Sequence, residues 1–158
     1  MDKNIQQVTG ILLLAALAQE FPLLAATRGR EVLYVGGTIA GLPELTKGAL
    51  DTTSDANLVF SSPKGSFTVA YESIQSLEYG QKVGRRLGVA VVLTTWALLS
   101  KKRKHYLTLG YEDADGKPHG VVFEIPKGKA KAMITIIEVR SGRKVEYESE
   151  EARRHVHG

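Results

Sequence analysis

Residues 106–125 read YLTLGYEDADGKPHGVVFEI, and this stretch decides the fold. Tyr106, Leu107 and Leu109 enter it, Val121, Val122, Phe123 and Ile125 leave it, and Asp115-Gly116 lies between. Two apolar runs split by an Asp-Gly pair spell a β-hairpin, because that dipeptide supplies the positive φ angles of a primed turn. The next stretch has a different period. From Lys127 to Arg140 the apolar residues Ala130, Met133, Ile134 and Ile137 recur at helical spacing, and Gly142 stands where a C-cap belongs. Arg140, Arg143 and Lys144 suit the negative end of that helix dipole. The β-branched run Ile134-Thr135-Ile136-Ile137 is costly in a helix but tolerated.

Upstream the signals are those of short strands. Val32 to Val35 form a β-type run that stops at Gly36-Gly37. Gly48 to Ser54 reads as a strand, and Ser54-Asp55-Ala56-Asn57 turns it into Leu58-Val59-Phe60 as a hairpin. Ser62-Pro63-Lys64-Gly65 is another turn, after which Phe67, Val69 and Tyr71 alternate. Ile74, Leu77 and Tyr79 continue as a bent strand. With 158 residues, 16 glycines and 5 prolines, the chain has one domain's length and many tight turns. The expected architecture is mainly β with α: an antiparallel β-barrel over residues 31–147, capped by a C-terminal amphipathic helix, with an apolar insert at 87–99. Residues 148–158 read as a polar tail, a frayed helical or disordered end.

Gly48-Ala49-Leu50, Thr53, Leu58-Val59-Phe60, Val69, Tyr71, Ile74 and Leu77-Glu78 resemble the GRAM-like branch of the pleckstrin-homology-like (PH-like) superfamily. Its pattern runs G-x-L-x-x-T, then L-x-F, then an apolar strand with a closing acidic turn. Ser76 to Gln81 together with Ser100 to Thr108 also resemble a group of acidobacterial-type bacterial proteins, over most of Val32 to Glu151. The GRAM-like likeness covers about half of that span. The resemblance implies a PH-like barrel and membrane or protein binding, and it implies no activity, since such folds host many functions.

Lys and Arg number 21 against 17 Asp and Glu, for a formal net charge of +4. Their placement is more informative: every charge from Lys82 to Lys104 is positive, while acids gather at Glu112, Asp113 and Asp115 and from Glu146 to Glu151. The absence of cysteine excludes disulfides, thiol nucleophiles and thiolate metal sites, and leaves the compartment open. Near the start, Lys3 precedes the apolar stretch Ile11 to Ala18, and Ala16-Leu17-Ala18 and Ala25-Ala26 offer small-residue exits. Residues 1–26 therefore read as a signal peptide or membrane-anchor segment. Asp2 and Gln19-Glu20 weaken that pattern, and the alternative is a helix packing its Leu-rich face on the domain. Export or membrane attachment is the expected location, with the cytoplasm as the other option.

Leu87 to Leu99 holds thirteen residues without a charge, between Arg85-Arg86 and Lys101-Lys102-Arg103-Lys104. As a helix it would span about 20 Å, short of the ~30 Å of a bilayer core. Three readings stand. The segment is a buried strand or strand pair, a partner-binding hairpin that joins two copies, or an apolar finger entering a bilayer. In the last case Arg85, Arg86, Lys101, Lys102, Arg103 and Lys104 form a cationic rim around Val91, Val92, Leu93 and Trp96. At about 1 kcal/mol per cation near anionic lipid, six would give roughly 6 kcal/mol at the additive limit. Trp96 suits the membrane interface.

Other constellations are weaker. Asp113, Asp115 and Glu124 take positions 1, 3 and 12 of a calcium loop, but Pro118 stands where the loop needs glycine. Gly36 to Gly41 lacks the order of a phosphate-binding loop. His155 and His157 with Glu150 and Glu151 sit in the tail, where a preformed metal site is improbable. His105 has cations beside it and no adjacent carboxylate, and His119 falls in the 115–120 turn. With few aromatics near Lys101 to Lys104, nucleic acid is the disfavoured partner. The expected function is thus non-enzymatic, without cofactor or metal: binding to an anionic membrane surface or a protein, with a structural or homo-oligomerising role as the alternative.

Overall fold

The computed structural model describes residues 30–82, 104–126 and 128–158. Residues 1–26, read as a signal or anchor, and the insert at 87–99 lie outside these residues. The described chain is mainly β with two helices. Strand β1 (Arg30–Gly37) is followed by β2 (Thr46–Asp51), β3 (Asn57–Ser62) and β4 (Gly65–Ala70). After a single 3-10 turn at Tyr71–Ser73 come β5 (Ile74–Gly80), β6 (Tyr106–Glu112) and β7 (Pro118–Glu124). Helix α1 (Ala130–Ser141), a short β8 (Val145–Tyr147) and helix α2 (Glu150–His157) complete the chain.

The eight strands form one sheet in the order β4-β3-β2-β1-β7-β6-β5-β8. All neighbours are antiparallel except β8, which joins β5 in parallel. This is not the closed barrel expected from the strand pattern. A strand has two hydrogen-bonding edges; those of β5 are taken by β6 and β8, so β5 cannot pair with β4. The sheet is nevertheless strongly curled. Four strand spacings separate β4 from β7, about 19 Å in a flat sheet, yet the Phe67 and Phe123 rings stack with centroids 6.2 Å apart. Phe60 lies 5.3 Å from Phe67 and 5.6 Å from Phe123, and Tyr34 packs on all three. Curling brings both meanders onto a single apolar core, which also holds Leu58, Ile74, Leu77, Leu107 and Leu109.

Helix α1 begins at Ala130, the first apolar residue of the stretch read from Lys127 to Arg140, and buries Ala130, Met133, Ile134 and Ile137, the four residues that define that period. Gly142 takes the left-handed cap conformation at φ 68°, and its N–H donates to the Glu138 carbonyl. The Arg140 guanidinium donates to the Thr52 carbonyl and to Asp55 Oδ1 at 2.7 Å, fastening the helix end to the β2–β3 loop. The β6–β7 turn departs from the primed form: only Gly116 has positive φ, and Glu112 faces Pro118 across a five-residue loop. Asp113 organises that loop, because its Oδ1 accepts the N–H groups of Asp115 at 3.0 Å and Lys117 at 2.8 Å.

The stretch read as a polar tail is α2, and it is packed. Ser149 caps it by accepting the Ala152 N–H at 3.1 Å, with Glu150 and Glu151 in the first turn and Arg154, His155 and His157 in the last. Ala152 and Val156, four residues apart on one face, are 0% and 4% exposed within the core.

Candidate functional site

Of the ten residues singled out as a binding surface, Arg85, Arg86, Val91, Val92, Leu93, Trp96, Lys101, Lys102 and Arg103 lie outside the described residues. Lys104 is described. So are the two stems on which residues 83–103 stand: β5 ends at Gly80, β6 begins at Tyr106, and these residues face each other across the ladder. The stretch therefore leaves and re-enters at adjacent points on one end of the sheet.

Acids from elsewhere in the chain meet both stems. On the departing stem, Glu148 Oε2 accepts the N–H groups of Gln81 at 2.6 Å and Lys82 at 2.9 Å, and its Oε1 lies 3.5 Å from Lys82 Nζ. The Glu148 N–H in turn donates to the Tyr79 carbonyl at 3.0 Å. A side chain on Gly80 would run into Glu148, so only glycine admits this approach. On the returning stem, Lys104 Nζ donates to Glu124 Oε2 at 2.7 Å, with both side chains about one quarter exposed. The all-positive run thus has both its outermost members ion-paired.

Behind the stems lies a cluster of rings. His105 and His155 stack with centroids 3.7 Å apart and planes 11° from parallel, and Tyr79 stacks on His105 at 5.6 Å. The Tyr79 hydroxyl is hydrogen-bonded to His155 Nδ1 at 3.0 Å, and Tyr147 Oη to His157 Nε2 at 2.8 Å. Burial pushes the Tyr79 phenol up to about 12, with Tyr147 adding to it, so Tyr79 stays neutral. Burial and then the neighbouring His155 hold His105 below the ordinary histidine range, against the pull of Glu151 and Glu148. His105 Nε2 is buried and makes no hydrogen bond among the described residues. A cavity of about 350 Å³ opens beside this cluster, lined among others by Gln81, Lys104, Glu124 and Glu151.

A second polar chain lies at the far end of β6 and β7. His119 Nε2 donates to Asp113 Oδ2 at 2.8 Å, and its Nδ1 is 2.9 Å from Thr38 Oγ1. The hydroxyl, imidazole and carboxylate have the order of a nucleophilic triad. Thr38 Oγ1, however, also accepts the Gly120 N–H at 3.2 Å and lies between backbone groups of the β1–β7 junction. The chain fastens the loop after β1 to the β6–β7 hairpin. A larger open groove, about 970 Å³, crosses the outer face of β1 to β4 over Leu33, Ala49, Val59 and Ser61.

Sequence reasoning passed over Glu124, Glu148, His105 and His155 as partners, since their contacts join distant parts of the chain. One signal was present: Ser149 followed by two glutamates, with Ala152 and Val156 four apart, marks a capped amphipathic helix. Among the described residues, no group of three or more His, Cys, Asp or Glu is arranged to hold a metal ion. No described helix is long and apolar enough to cross a membrane. No family model matches this chain, and no curated protein matches it.

Proposed function

We propose that this chain is a non-enzymatic, PH-like module that docks on an anionic membrane surface through the cation-flanked apolar insert at 87–99. Two antiparallel meanders joined through β1 and β7, with a helix following β7, support the PH-like reading. The observation that carries the docking role is the adjacency of the stems. Gly80 and Tyr106 are cross-strand neighbours, so the insert is rooted at one end of the sheet. The strands on either side already contribute Leu77, Tyr79, Leu107 and Leu109 to the core.

Because Lys104 is engaged by Glu124, the rim consists of Arg85, Arg86, Lys101, Lys102 and Arg103, with no acidic residue between positions 83 and 103. Five such cations give roughly 5 kcal/mol at the additive limit near anionic lipid. Co-sedimentation with phosphatidylglycerol vesicles at low and high salt tests the proposal. Binding that weakens with salt and is absent on phosphatidylcholine is expected; equal recovery in the supernatant with and without vesicles rejects it. A concentration-dependent mass by light scattering that Trp96→Asp abolishes would favour the oligomerising alternative.

A further inference from the structure

Helix α2 meets the sheet through an imidazole pair, and the chemistry of that contact goes beyond membrane docking and does not depend on it. We infer that His105 and His155 form a proton-sensitive latch, which fastens α2 to β5 and β6 while both rings are neutral and releases it when they take up protons.

The geometry sets the direction. Neutral Tyr79 has one hydroxyl proton, and His155 Nδ1 at 3.0 Å accepts it only while that nitrogen is unprotonated. With a proton on His155 Nδ1 the bond persists in reverse, the Tyr79 hydroxyl turning to accept, so the direction comes from the stacked rings rather than from this bond. The same proton places a cation on a ring stacked at 3.7 Å on His105, and a second proton sets two like charges face to face. His105 Nε2 is buried without a partner among the described residues, so its protonated form would place an N–H donor where none of those residues offers an acceptor.

The surrounding groups divide. From β5 comes Tyr79; Lys104 stands just before β6, and β7 supplies Glu124, which is paired with Lys104. After β8 stands Glu148, already engaged by two backbone N–H groups and Lys82, and α2 brings Glu151. Glu148 and Glu151 favour protonation, but burial and the second imidazole outweigh them at His105. A histidine held below its ordinary value keeps its stabilising effect above about pH 6.5 and loses it as pH falls through the lowered value. Acid therefore works against the docked helix. Release would uncover the core surface beneath Ala152 and Val156 and free the Glu148 contact to the stem at residues 81–82.

Hydrogen exchange on the full chain, read by mass spectrometry at about pH 7.5 and about pH 5 and corrected for intrinsic rates, tests the latch on either side of the ordinary histidine value. Amides 152–157 should lose at least about tenfold protection at the lower pH relative to those of α1. His105→Phe keeps a stacking ring without a titrating nitrogen, and in it this selective loss should fall below about threefold. His155→Phe serves as a second variant in case the first alters the fold. Unchanged α2 protection in the wild type, an equal loss across α1 and β6, or a full selective loss in both Phe variants would overturn the inference.

Discussion

Glu148 accepts the backbone N–H of Lys82 at 2.9 Å across 66 positions of sequence. With the Gln81 N–H at 2.6 Å on the same oxygen, one carboxylate ties the C-terminal segment to the stem at which residues 83–103 begin. Hydrogen bonds to a charged acceptor contribute about 1.5–3 kcal/mol. Glu148→Ala should lower unfolding free energy by about that amount, and Glu148→Gln, which keeps an acceptor oxygen, by less. Denaturant unfolding orders the three proteins; equal midpoints would show that solvent replaces the carboxylate without loss.

Gly80→Ala tests the same junction from the other side. A Cβ there collides with the Glu148 side chain, whose backbone is fixed by its own bond to Tyr79. Overpacking of this kind costs typically 1–3 kcal/mol. The variant should melt several degrees lower by circular dichroism, and an unchanged melting temperature would mean that the stem shifts freely.

The Asp113 carboxylate gives a pH signature at the opposite end of the sheet. Its hydrogen bond from His119, then those from the Lys117 and Asp115 N–H groups, hold it below the usual carboxylate range. A carboxyl lowered in the fold stabilises above its unfolded value near 4, and that effect is lost as pH falls through the folded value. Asp113→Asn should therefore be less stable than the wild type at neutral pH, with the gap closing below about pH 4. Unfolding midpoints measured across pH check this; a gap constant with pH would assign the loss to hydrogen bonding alone.

Lys104 and Lys102 separate a paired cation from one outside the described residues. Under the membrane proposal, Lys102→Met removes about 1 kcal/mol of attraction, roughly a fivefold drop in partitioning onto anionic vesicles. Lys104→Met should change partitioning less, because Glu124 already engages that ammonium at 2.7 Å. Vesicle titration of both variants decides; equal losses would show that the pair opens at the lipid surface.

Local pattern by itself determined the order of elements from β1 to α1. The β6–β7 hairpin, the bend in β5 and α1 with its four buried apolar residues and Gly142 cap all rest on neighbours within a few positions, where period and turn chemistry act directly. Tertiary structure decided the rest. The parallel seat of β8 on β5, which leaves the sheet open, and the burial of Ala152 and Val156 depend on a core assembled from distant strands. Charge followed the same division: the cationic run from Lys82 to Lys104 is plain in sequence, but the glutamates that pair its two ends arrive through the fold. The stacked imidazoles of His105 and His155 were equally out of reach, since a stack at 3.7 Å between residues so far apart exists only once the sheet has curled and α2 has closed over its end.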